Sequence, residues 1–76
     1  MPFKEFPIMN FSKPYNVRQR VEEIRAKAND DEAAHCMEDE LHKGVLEAIA
    51  NGATCPIELA HEALQTLKIE FARWCA

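Results

Sequence analysis

The chain has 76 residues, 47% of them hydrophobic and 29% charged, with two Gly and four Pro. That length makes one domain, and the composition excludes collagen-like, linker-dominated and disordered acidic chains. Thirteen acids against nine Lys and Arg leave a net charge of −4, the wrong sign for a general nucleic-acid binder.

A core this small seldom contributes more than ~3–5 kcal/mol, so small scaffolds usually add a staple. Cys36, Cys55 and Cys75 are an odd set with no C-x-x-C pair. They read as reduced thiols acting as small buried hydrophobes rather than as a disulfide framework. A metal or a second copy of the chain remains as the staple. No run approaches the roughly 18 apolar residues of a membrane span. The prolines of MPFKEFPIMNF interrupt the apolar region a signal peptide needs, so the expected location is cytoplasmic.

Pro2, Pro7 and Pro14 block a regular helix at the start and push each preceding residue to extended geometry. The expected domain plan is an extended Pro/Phe-rich arm over residues 1–15 and a single helical domain over 16–76. Phe3, Phe6 and Phe11 are expected to lie on the helices or on a neighbouring subunit.

Asn16, with Gln19 three residues on, predicts a capped helix over about 17–28. Its apolar stripe is Val17, Val21, Ile24 and Ala28, and Arg18–Glu22 and Glu23–Lys27 are i,i+4 pairs on its outer side. Asp30 and Asp31 restart the chain, and Asn51-Gly52 supplies a left-handed stop, predicting a second helix over about 31–50. Gly44, in its middle, suggests a close helix crossing.

Thr54 as cap and Pro56 in the first turn predict a third helix over about 55–75. Ile57, Ala60, Leu64, Leu67, Phe71 and Trp74 step by three and four, a heptad-like seam, with a break near 66–68 as the alternative. No segment alternates with period two. The predicted fold is all-α, a small three-helix bundle with an N-terminal arm. Ile57, Leu64, Leu67, Phe71 and Trp74 are its expected self-association face, implying a homodimer.

Charge divides the chain. Residues 1–28 hold six basic groups against three acids, and residues 29–76 hold three against ten. Asp31, Glu32, Glu38, Asp39, Glu40 and Glu47 form a candidate surface for a basic protein partner, by steering and register more than raw affinity.

The same stretch offers a competing chemistry. Asp31, His35, Glu38 and His42 fall at i, i+4, i+7 and i+11, one face of a helix, and imidazole with carboxylate suits zinc or another first-row metal. One helix seldom supplies a full ligand set, so Glu58, His61 or Glu62, or the same residues of a second copy of the chain, would have to complete it. The contiguous acids Glu38-Asp39-Glu40 splay around the helix and do not match the spaced pairs of all-α nucleotide pyrophosphohydrolases. Cys36 and His35 point about 100° apart, and Cys55 and His61 lie nearly two turns apart, so neither makes a nucleophile–base pair. A helix-turn-helix would present Glu58 and Glu62 to phosphates, again the wrong sign.

The run D-D-E-A-A-H-C-M-E-D-E-L-H-K-G-V-L-E-A-I-A-N-G, with the closing A-L-Q-T-L-K-I-E-F-A-R-W-C-A, resembles small, functionally uncharacterised α-helical proteins of bacteria and their phages. The resemblance covers residues 30–76, and F-A-R-W-C-A is its most specific part. It implies an intracellular protein of bacterial or prophage origin and brings no activity, cofactor or site residue with it. The expectation is therefore a non-catalytic interaction module, a regulator or inhibitor acting through its acidic helix face, without a cofactor and without membrane contact. The alternative is a metal-binding protein or metal-dependent hydrolase built on Asp31, His35, Glu38 and His42.

Overall fold

A computed structural model describes residues 10–72. Three helices run in chain order, α1 (Pro14–Ala26), α2 (Asp31–Ala50) and α3 (Pro56–Ala63), and α3 tightens into a 3-10 segment at Leu64–Lys68. Each helix packs against both others, which makes an all-α three-helix bundle. Residues 1–9, with Phe3 and Phe6 of the expected arm, and residues 73–76, with Trp74 and Cys75, lie outside the described residues.

The first helix starts earlier than its pattern suggested. Pro14 takes the first helical position, where its missing N–H is no loss, and Lys13 is the N-cap without a side-chain bond. Residues 14 and 15 thus belong to α1 rather than to an extended arm. Asn16, the expected cap, instead donates its side-chain amide to the Asn10 carbonyl at 2.9 Å. Asn10 in turn accepts from the Ser12 backbone N–H at 3.0 Å, an Asx-type turn that leads into Pro14. The inner stripe is as expected, with Val17, Val21 and Ile24 buried and Ala28 against the core. The outer ion pairs are not. Arg25 pairs with Glu22 at 3.3 Å, and Arg18 reaches across to Glu62 of α3 at 3.0 Å. Arg20 Nε, buried, lies 2.7 Å from Glu23 Oε1 but off the N–H direction, so that contact is ionic rather than a formed hydrogen bond.

Helix α2 has the expected bounds because both ends are written locally. The Asp30 carboxylate accepts from the Ala33 N–H at 3.2 Å, and Asp31 and Glu32 sit at the positive end of the helix dipole. At the far end Gly52 has φ +90, and two backbone bonds close a Schellman motif, Gly52 N–H to Ile49 O and Ala53 N–H to Ala48 O, both 3.0 Å. Only glycine takes that φ without strain. The other glycine has a different use. A Cβ at Gly44 would meet the Phe11 ring at 2.5 Å, so the close approach inferred from sequence is made by an aromatic ring rather than a helix.

Helix α3 is much shorter than 55–75. Cys55, not Thr54, is its N-cap, and Pro56 again opens the helix. The break has a chemical cause at Ala63. Its carbonyl accepts from the Thr66 hydroxyl at 3.1 Å and from His42 Nε2 at 3.3 Å. Side-chain donors on that carbonyl compete with the backbone N–H that would continue an α-helix. Beyond Lys68 the chain turns extended at Ile69, and the Ala72 N–H donates to the Asp31 carboxylate at 3.2 Å.

On this third element two apolar stripes divide between core and surface. Leu59, Ala63 and Ile69 join Val17, Val21, Ile24, Ala34, Leu41 and Val45 in the core, with Thr66 buried beside them. Ile57, Leu64 and Leu67 are 85%, 55% and 58% exposed. Both stripes have helical spacing, and hydrophobicity alone does not say which one meets the other helices.

Candidate functional site

Two surfaces stand out, the outer face of α2 and the outer face of α3 with its 3-10 extension. On α2 the inward positions are Ala34, Leu41 and Val45, and Glu38 shares their side at 4% exposure. The six acids expected on one surface are therefore divided. Glu38 faces the core, so it cannot contribute to a solvent-facing patch. Asp31 lies at the start of the helix, where its carboxylate holds the Ala72 N–H. Glu32, Asp39, Glu40 and Glu47 remain, all exposed on the side away from the bundle, with Lys43 among them. Asp39 lies 3.5 Å from His35 Nε2, and Glu32, Glu40 and Glu47 have no ion pair among the described residues.

Cys36 shares that outer face and is exposed, and Cys55 is half-buried at the cap of α3. Neither is the buried hydrophobe expected from composition. At Cys36 the reason is plain from the helix register: two residues from both Ala34 and Glu38, it points about 160° away from the core side.

Asp31, His35, Glu38 and His42 do share one side of α2, as their spacing requires. That side faces the returning C-terminal segment. His42 Nε2 is 2.9 Å from the Thr66 hydroxyl, His35 leans on Asp39, and Asp31 is engaged by Ala72. Among the described residues no group of three or more His, Cys, Asp and Glu is placed to hold a metal. Neither His61 nor Glu58 or Glu62 completes the set, and Glu62 is turned to Arg18 instead.

One tautomer of His42 satisfies its contacts together. The Thr66 hydroxyl donates to the Ala63 carbonyl, so toward His42 it accepts, and the carbonyl can only accept. All three contacts are met together when His42 Nε2 carries the ring proton. Sequence reasoning missed this pair, since nothing in the spacing of His42 and Thr66, 24 residues apart, announces it.

On the other surface, Ile57 lies on the outer side of α3, Leu64 follows seven residues on at the start of the 3-10 segment, and Leu67 follows Leu64 by three within it. Three residues is one 3-10 turn, so Leu64 and Leu67 eclipse and prolong the stripe. Phe71, expected to belong to this stripe, packs against the core instead. Among the described residues no helix is long and apolar enough to cross a membrane. Compared with known protein families, curated proteins and solved structures, the chain matches none of them.

Proposed function

We propose that this chain is a small, non-catalytic interaction module that binds a basic protein partner through the outer face of α2. The observation that carries this reading is the exposed set Glu32, Asp39, Glu40 and Glu47, three of which have no ion pair among the described residues. Such a set steers an oppositely charged surface and fixes its register. The module acts as a regulator or inhibitor and associates with a second copy of itself. Its bacterial or phage origin and cytoplasmic location rest on the resemblance of residues 30–76.

The test is affinity capture from a bacterial lysate on the immobilised chain, with an Asp39→Lys/Glu40→Lys/Glu47→Lys variant beside it and captured proteins identified by mass spectrometry. Basic proteins should be retained at low salt, released as ionic strength rises, and absent from the variant. Capture indifferent to both salt and the variant would refute the reading. So would metal-dependent hydrolysis of a nucleotide by the purified chain.

A further inference from the structure

Resting on the reading of the chain as a self-associating interaction module, we propose that a second copy binds the Ile57–Leu64–Leu67 stripe in an antiparallel, two-fold arrangement centred on Leu64. Among the described residues the stripe, on α3 and its 3-10 extension, joins three exposed aliphatic side chains, and its exposures of 85%, 55% and 58% leave it uncovered by the bundle.

Charge selects the occupant and its direction. Glu58 follows Ile57 by one residue of α-helix, and Lys68 follows Leu67 by one residue of 3-10 helix. These steps of about 100° and about 120° place both charges on the same flank of the stripe, the acid at one end and the base at the other. Both are exposed, and neither has an ion pair among the described residues. A two-fold axis that makes the stripes antiparallel keeps like flanks together and sets each Glu58 beside the other copy's Lys68. A parallel two-fold puts the charged flanks on opposite sides and forms neither pair.

The spacing agrees. Six α-helical steps and four 3-10 steps put Glu58 and Lys68 about 17 Å apart along the axis, and Leu64 falls near the midpoint. When the charges meet, Leu64 meets its own copy. Ile57, about 10.5 Å from Leu64, lies about 4.5 Å beyond the other copy's Leu67, which is about 6 Å from Leu64, so their side chains meet at a slant rather than face to face.

A stripe about 17 Å long is small for an interface, so association is expected only at micromolar concentration or above. Sedimentation of the full chain from about 10 µM to about 1 mM should show the mass rising from 8.7 kDa toward twice that value. Leu64→Lys, folded by circular dichroism, should stay monomeric throughout. Glu58→Lys and Lys68→Glu should each weaken the dimer about 5- to 10-fold, and the double variant should restore it. A wild-type chain still monomeric at the highest concentration overturns the proposal. So does a dimer that survives Leu64→Lys, or charge reversals that fail to compensate. Leu64→Lys leaves the acidic face of α2 intact, so its capture of basic proteins reports on the partner reading separately.

Discussion

Gly44→Ala should reverse its sign depending on the residue at position 11. Glycine inside a helix costs about 1 kcal/mol against alanine, so propensity by itself predicts a stabilising change. The structure opposes it. A Cβ at this position falls 2.5 Å from Phe11 Cδ2 and 2.9 Å from Cε2, where non-bonded carbons rest near 3.5–4.0 Å. The ring must shift by about 1 Å, and overpacking of that kind costs about 1–3 kcal/mol. Moving it also loosens its face from the Arg20 guanidinium, 5.8 Å from the ring centroid. The net expectation is a loss of about 1 kcal/mol, or about 4–8 °C in Tm for a domain of this size. In a Phe11→Ala background the obstacle is gone, and Gly44→Ala should stabilise by about 1 kcal/mol. Urea titrations of the four chains in the cycle give the coupling, expected near 2 kcal/mol. If Gly44→Ala stabilises equally with and without Phe11, the ring does not occupy this notch and the packing of residues 10–13 on α2 is wrong.

The remaining predictions concern α2 and its ends. His42→Ala removes the partner of Thr66 in a part-buried site and should lower stability by about 1–3 kcal/mol, whereas His35→Ala, whose contact is with exposed Asp39, should change it by less than about 0.5 kcal/mol. A thermal melt of each separates a structural His42 from a pair of interchangeable surface histidines. Nitrogen-15 NMR of neutral His42 should report the Nε2–H tautomer, and the opposite tautomer would contradict the hydrogen-bond assignment with Thr66 and Ala63. Glu38→Lys should destabilise by about 3 kcal/mol or more, since it forces a different charge into a site that is 4% exposed, while Glu40→Lys should lie within about 0.5 kcal/mol of the parent. Equal melts for those two would show that Glu38 is not on the core side. Gly52→Ala should cost about 1 kcal/mol because φ is +90 at the Schellman stop, and an unchanged melt would refute the left-handed assignment.

The sequence by itself determined what depends on neighbours within a turn or two. Asp30-Asp31 as the restart, Asn51-Gly52 as stop and the Val17–Val21–Ile24 stripe are local chemistry, so α2 and the inner face of α1 were legible without coordinates. The all-α architecture follows, because no segment offers the alternation a sheet would need. The one-sided placement of Asp31, His35, Glu38 and His42 was legible for the same reason, as helical spacing fixes it.

Tertiary structure decided what lies against each face. Glu38 is acidic and evenly spaced with its neighbours, yet its side of α2 is the side toward Ala34, Leu41 and Val45, so it leaves the surface group. His42 looked like a ligand until Thr66, 24 residues away, arrived beside it, and the same contact ends α3 at Ala63. Ile57, Leu64 and Leu67 have the periodicity of a core stripe, but so do Leu59, Thr66 and their neighbours. Two apolar stripes on one helix are equivalent to the chain in isolation. Only the positions of α1 and α2 distinguish them, and they leave Ile57, Leu64 and Leu67 facing outward.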